Sequence, residues 1–195
     1  LLSGNYKYLI WTEDSDTKYF EKFAQSNGLV ETEYFLFSYQ ASSKVDAAKL
    51  MVAFMERVRP GVITIVHRDR DFMLDDEIDR LTGKYELNKT PTMRLFITSK
   101  SDIESYFSDA SHLSQVTGRP LGDFEAMIGL AIQENSNEFA IKFRDKREEV
   151  KRDLYKADAQ NAPDAAGMLP GGVVPVEKAL GKLLLKKLGP LLQGA

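Results

Sequence analysis

The chain has 195 residues, of which 43% are apolar and 28% are charged, a composition typical of a folded soluble domain and not of a disordered segment. It contains no cysteine, which excludes disulfide frameworks, thiolate zinc sites and thiol nucleophiles, and its two histidines cannot form a histidine-rich metal centre. The formal net charge of −3 provides no overall basic field that would hold nucleic acid. Because no apolar stretch is long enough to span a membrane and no signal-peptide pattern opens the chain, we expect a cytoplasmic protein without a membrane partner.

Short apolar runs alternate with helical patterns in the first part of the chain. The first run ends at an acidic segment that opens a helix, and the third is almost uniformly β-branched, as in a buried central strand. This alternation predicts an α/β fold with a mostly parallel, Rossmann-like sheet flanked by helices. The four runs cover residues 6–11, 34–39, 62–66 and 93–98.

The second part of the chain predicts helical additions to an α/β core over residues 1–120. Residues 121–160 indicate a charged helical region, which we interpret as a solvated helix laced with ion pairs between successive turns. Residues 161–175 form a Gly- and Pro-rich loop, and 176–195 an amphipathic C-terminal helix. We expect its leucine face to pack on the core or on a partner in a homodimer, in preference to a membrane surface.

Acidic residues follow three of the four predicted strands. Glu13 ends the first strand, Asp69 and Asp71 end the third, and Glu104 lies just beyond the fourth. Any one of them, like the neighbouring Asp14 and Asp16, could serve only as a turn former or helix cap. However, the carboxyl ends of parallel strands meet at one edge of a sheet, and Asp69 and Asp71, two residues apart, would share a side of an extended segment. The four carboxylates therefore predict a site for Mg²⁺ or Mn²⁺.

The segments that carry these acids resemble a TOPRIM domain. They are LIWTEDSD over residues 9–16, VITIVHRDRDF over 62–72 and DIESYF over 102–107. Within that superfamily they are most similar to the branch found in OLD-type (overcoming lysogenization defect) nucleases and related phage-defence ATPases. In that branch the first strand ends in Glu, the third in D-x-D, and an I-E-x-Y-like element follows the fourth. The C-terminal EKALGKLL, residues 177–184, is similar to a lysine-bearing helix of the same branch.

The resemblance implies a TOPRIM fold and a Mg²⁺- or Mn²⁺-dependent endonuclease that hydrolyses phosphodiester bonds in DNA, as the nuclease module of a phage-defence ATPase system. Because the chain contains no G-x-x-x-x-G-K-[ST] motif, either the ATPase is a separate domain or subunit or this is a stand-alone form of the nuclease. The sequence leaves open whether the DNA is single- or double-stranded.

The resemblance also assigns roles to individual residues. It implies Glu13, Asp69 and Lys182 as catalytic groups, with Lys182 placing a positive charge near the scissile phosphate. Lys178 is a second candidate for that positive charge, and Asp16, three residues after Glu13, is a further candidate ligand. The implied metal ligands are Glu13, Asp69, Asp71 and Glu104.

Three basic or titratable residues lie within or beside the D-x-D segment. Arg68 and Arg70 alternate with the aspartates, and either pair with neighbouring acids or contact the backbone of the DNA substrate; we favour ion pairs. His67 has a side chain suited to general base catalysis, yet it ends a buried strand. We therefore favour a packed, hydrogen-bonded histidine.

Two other functions remain open on the sequence alone. The chain could be a non-catalytic regulatory or assembly module that keeps the TOPRIM fold and binds a partner ATPase. It could also carry another TOPRIM activity, such as strand transfer or primer synthesis. A nuclease is expected to bind a divalent metal, whereas the non-catalytic module is not, so metal binding distinguishes these two functions.

Overall fold

The apolar, β-branched runs form four strands of one parallel sheet. The structure is a computed structural model that describes residues 6–39, 45–86 and 90–193. The strand order is β2-β1-β3-β4, and every neighbouring pair is parallel, which confirms the predicted α/β class with a parallel sheet and flanking helices. The strands are β1 (Tyr8–Thr12), β2 (Tyr34–Ser38), β3 (Ile63–Arg68) and β4 (Met93–Ile97).

The chain divides into two compact units. The first runs to Asp69 and resumes from Asp75 to Thr98, and the second consists of Arg70–Leu74 and the chain from Ser99 onward. The first unit holds the sheet and three helices that connect its strands, as parallel pairing requires. These helices are α1 (Lys18–Ser26), α2 (Val45–Val58) and α3 (Asp75–Glu86).

The two central strands of the first unit end level with each other. Trp11 of β1 pairs with Val66 of β3 in the register of the sheet, so the residues that follow them emerge at the same edge. Tyr39 ties this edge together, because its backbone N–H donates to the Thr12 carbonyl (2.8 Å) and its hydroxyl donates to the His67 carbonyl (2.7 Å). The side chains that follow β1 and β3 are therefore held side by side.

The second unit is helical and has its own apolar core. Phe124, Phe143 and Leu188 are fully buried in this core, and leucines of the C-terminal helix pack there. None of the helices in the described ranges has both the length and the apolar character needed to cross a membrane. The helices of this unit are α4 (Ala110–Thr117), α5 (Leu121–Glu134), α6 (Ser136–Leu154), α7 (Ala165–Met168) and α8 (Gly181–Gln193).

Helix α6 and the C-terminal helix differ from what the sequence predicts. On α6, the half-buried Lys151 pairs with the exposed Glu148 as expected of a helix with ion pairs between its turns, but Arg147 is completely buried and the prediction of a solvated helix is wrong there. The C-terminal helix α8 begins at Gly181 and not at Val176, because its first turn is capped by Asp102 from the distant turn Ile103–Tyr106. The loop region 161–175 contains the short helix α7, whose N-terminus is capped by Asp164.

Candidate metal site

Asp14, His67 and Asp69 form a cluster of metal-ligating side chains in the first unit. One ligand atom from each lies within 4.8 Å of the other two. His67 belongs to β3, Asp69 directly follows that strand, and Asp14 follows β1 by two residues. The level ends of β1 and β3 thus place an imidazole and two carboxylates at the edge where ligands of open parallel sheets bind.

The imidazole of the cluster is fully buried, and its two carboxylates are slightly exposed. The His67 side chain is 0% exposed, whereas those of Asp14 and Asp69 are 12% and 10% exposed. The rings of Phe20 and Phe96 cover the imidazole, with centroids 4.7 and 5.4 Å from it. An ion could therefore reach the two carboxylates from solvent while the imidazole stays fixed by packing.

Burial keeps the His67 imidazole uncharged. Removal from water lowers the pKa of His67 to about 3, because burial deprives the charged imidazolium of its hydration. The ring nitrogens lie 3.9 Å from Asp14 Oδ2 and 3.4 Å from Asp69 Oδ1. At neutral pH these contacts join a neutral ring to two carboxylates and are not ion pairs.

Glu13 supports the segment that follows β3. Its half-buried carboxylate accepts a hydrogen bond from the backbone N–H of Asp69. The structure thus brings Glu13 and Asp69 together, two of the residues that the sequence places in the metal site. Burial, with a further contribution from the Glu13 charge, raises the pKa of Tyr39, so its phenol remains a donor to the backbone of β3.

Asp71 belongs to the second unit and is not in an extended segment. Strand β3 ends at Arg68, and Asp71 has a positive φ of 49°, so the alternation expected for Asp69 and Asp71 fails at this residue. The backbone N–H of Asp71 donates to the Ser101 carbonyl (2.7 Å), and its carboxylate pairs with Lys146 Nζ (3.0 Å). Within its unit Asp71 is therefore engaged by a lysine of α6.

The other acid and the two lysines assigned from the resemblance also lie in the second unit. Glu104 is 3% exposed and belongs to the turn Ile103–Tyr106. Lys182 is exposed in the first turn of α8, where its backbone N–H donates to Asp102 (3.0 Å). Lys178 is half-buried and lines a cavity of about 240 Å³ to which Asp71 also contributes.

The remaining predicted site residues have local structural contacts. Asp16 accepts from the backbone N–H of Lys18 (3.2 Å) and pairs with its ammonium group (3.1 Å), which places it at the start of α1. Arg68 is 3% exposed. Arg70 is half-buried, and its Nε donates to the Met73 carbonyl (3.2 Å).

Two members of the cluster were not predicted as ligands from the sequence. From the sequence we expect a packed residue at His67 and a helix cap at Asp14. A signal is present in the sequence, because His67 and Asp69 are two positions apart and so would lie on one side of an extended segment. For Asp14 no such signal exists, since it lies in the turn after β1.

Searches of protein-family models, curated proteins and solved structures found no match to this chain. The parallel α/β sheet is therefore established by the structure, whereas membership of the TOPRIM superfamily remains a prediction from the sequence motifs.

Proposed function

We propose that this chain is a divalent-metal-dependent nuclease that hydrolyses phosphodiester bonds in DNA. The observation that carries the proposal is the cluster of Asp14, His67 and Asp69 at the carboxyl ends of β1 and β3. Two carboxylates and a neutral imidazole, partly open to solvent, are a donor set that fits a divalent cation. The position is the one where open parallel sheets bind ligands.

In this proposal Asp14 and Asp69 hold the cation, and Glu13 holds the backbone of Asp69 in place. A bound divalent cation would stabilise negative charge on the scissile phosphate and favour ionisation of an attacking water. Glu13 is half-buried beside this site, so its second function would be to accept or return the proton of that water.

The sequence assigns further roles to residues of the second unit, and these stay predictions. Asp71 and Glu104 are the predicted additional ligands, and Lys182 or Lys178 is the predicted cation near the phosphate. Substitution of each residue in a DNA-cleavage assay tests its role.

The biological setting is part of the proposal. We propose that the nuclease acts on DNA in the cytoplasm, as part of a phage-defence system with an ATPase domain or subunit, and that it can form a homodimer. The sequence motifs support this setting through their similarity to OLD-type nucleases. The net charge of −3 predicts that the chain alone binds DNA weakly and in a salt-sensitive manner.

The decisive experiment is cleavage of supercoiled plasmid and of single-stranded DNA with Mn²⁺, Mg²⁺ or EDTA. We expect metal-dependent cleavage by the wild-type chain and its loss, by at least about 100-fold, in Asp69→Asn and Glu13→Gln. Asp79→Asn, an exposed aspartate on α3, is the matched control and should cleave like wild type. Equal cleavage by Asp69→Asn and wild type would overturn the site assignment.

A second candidate function is a non-catalytic regulatory or assembly module that binds a partner ATPase. The observation that favours it is an apolar stripe on α2, where Leu50, Phe54 and Val58 follow each other at helical spacing and are 72%, 49% and 42% exposed. Surfaces of this kind are common at protein interfaces. A chain that neither binds Mn²⁺ nor cleaves DNA would favour this function over the nuclease.

A further inference from the structure

The Thr12 hydroxyl lies between the Asp14 carboxylate and the imidazole of His67. Thr12 Oγ1 donates a hydrogen bond to Asp14 Oδ2 (3.2 Å) and lies 2.8 Å from His67 Nδ1. A hydroxyl has one proton, and an ionised carboxylate is a stronger acceptor for it than a neutral imidazole. With this proton on Asp14, Nδ1 is the donor in its contact with Thr12, and the lone pair of the neutral ring is on Nε2.

Nε2 is then an acceptor that faces another acceptor. It is fully buried, has no hydrogen bond from any part of the chain that the structure describes, and lies 3.4 Å from Asp69 Oδ1. Two lone pairs at this separation repel each other unless a cation lies between them. The distance fits two ligand atoms that are each about 2.1 Å from one shared metal ion.

The surroundings of the ring resemble those of a metal-binding histidine. Such a histidine donates its other N–H to a neighbouring oxygen, which fixes the tautomer and the orientation of the ring. Thr12, which is 0% exposed, provides that oxygen, and Phe20 packs against the ring. The imidazole is thus held with its lone pair directed toward Asp69.

We propose that His67 ligates the metal directly through Nε2, together with Asp69, and that this nitrogen makes the site prefer a transition-metal dication to Mg²⁺. The inference rests on the metal site of the proposed nuclease and refines the oxygen-only site predicted from the sequence. Imidazole suits transition metals, whereas Mg²⁺ prefers oxygen ligands and retains water.

The test uses Mn²⁺ as a paramagnetic probe on the full chain. Electron spin-echo envelope modulation of bound Mn²⁺ detects nitrogen nuclei in its coordination sphere. Because the chain has only two histidines, the signal of His112→Gln can arise only from His67. We expect a histidine nitrogen coupling in wild type and in His112→Gln, and its loss in His67→Gln.

Metal affinities provide the second readout. We expect His67→Gln to weaken Mn²⁺ binding by about 10-fold or more and Mg²⁺ binding by less than about 3-fold. Thr12→Val keeps the histidine but removes the oxygen that fixes its tautomer, so it should weaken Mn²⁺ binding in the same direction. If His67→Gln does not fold, the His112→Gln spectrum still decides the question.

The outcomes separate this inference from the proposed nuclease. Bound Mn²⁺ with nitrogen coupling in the His112→Gln protein supports His67 as a ligand. Bound Mn²⁺ without nitrogen coupling overturns the role of His67 and leaves a metal-dependent nuclease with oxygen ligands intact. Absence of Mn²⁺ binding overturns both, and DNA cleavage by the same preparations reports on the nuclease independently.

Discussion

The Asp102 carboxylate caps the first turn of α8 by accepting a hydrogen bond from the backbone N–H of Gly181, 79 residues later in the chain (3.0 Å). Its second oxygen accepts from the N–H of Lys182 (3.0 Å), so both early donors of the helix are satisfied by one buried side chain. A Cβ at position 181 would overlap the backbone of Ser105 and the Asp102 carboxylate. The cap therefore requires glycine at this position.

Gly181→Ala should destabilise the protein by about 2–3 kcal/mol, because the helix start must move away from its cap. The matched control is Gly189→Ala on the same helix, where an added Cβ meets nothing within 4 Å. That substitution should be neutral or stabilise by up to about 1 kcal/mol, since alanine has the higher helix propensity. Urea unfolding monitored by circular dichroism measures both, and equal effects would contradict the close approach at Gly181.

The start of α8 shows what the sequence could not predict. The amphipathic pattern from Val176 onward correctly indicates a C-terminal helix, yet the residue that fixes its first turn lies far away in sequence. Helix boundaries depend on caps, and a cap supplied by tertiary structure leaves no local pattern. By contrast, the strands were predictable because burial on both faces demands uniform apolar runs, as in residues 62–66.

The candidate site also has residues that the sequence predicts and residues that depend on tertiary contacts. Strand ends are visible in the sequence, so Glu13 and Asp69 could be predicted to meet at the edge of the sheet. The spacing of His67 and Asp69 is visible in the sequence, but the contact of His67 with the Thr12 hydroxyl joins two strands and leaves no local pattern. Asp71 leaves the direction of the strand because it has a positive φ, and a positive φ at a non-glycine residue cannot be predicted from this sequence.

The buried side chain of Arg147 links α6 to two loops of the second unit by hydrogen bonds. Its guanidinium donates to the carbonyl oxygens of Phe72 (2.9 Å) and Pro163 (2.8 Å). Arg147→Met should lower the free energy of unfolding by about 2–4 kcal/mol, because it leaves both carbonyls without these donors. Arg152→Met, an exposed arginine on the same helix, should change it by less than about 0.5 kcal/mol. Chemical denaturation of the two variants measures the difference. An Arg147→Met protein as stable as wild type would show that the hydrogen bonds of Arg147 do not stabilise the fold.

The buried imidazole of His67 predicts a defined pH dependence for the metal-free protein. Its pKa is about 3 in the folded state and about 6.5 when unfolded, so the unfolded chain binds an extra proton between these values. Stability should therefore fall as pH decreases below about 6.5, by at most about 1.4 kcal/mol per pH unit from this group. In the His112→Gln protein, ¹⁵N NMR in EDTA should show a neutral His67 from pH 8 to pH 5. A ring that titrates near pH 6 would refute this burial effect.

The ion pair between Lys146 and Asp71 predicts energetic coupling between α6 and the loop that carries Asp71. Asp71 is 5% exposed and Lys146 33% exposed, so the pair is partly shielded from water. A double-mutant cycle with Lys146→Met and Asp71→Asn should give a coupling of about 1–2 kcal/mol in unfolding free energy. The pair of Lys142 and Asp145 on the same helix, about half exposed on both sides, is the control and should give less than about 0.5 kcal/mol. Equal coupling in the two cycles would mean that Asp71 is not held by Lys146.

Asp14 and Asp16 allow the structural site to be tested against the sequence prediction. Asp14 lies in the cluster with His67, whereas Asp16 is engaged with Lys18 at the start of α1. A ligand that binds only the folded state stabilises it by about 2.7 kcal/mol at 100 times its dissociation constant, so Mn²⁺ should raise the melting temperature of the wild-type chain. We expect Asp14→Asn to lose most of this shift and Asp16→Asn to retain it, as measured by differential scanning calorimetry with and without Mn²⁺. The reverse result would place the metal at the residue suggested by the TOPRIM resemblance and remove Asp14 from the site.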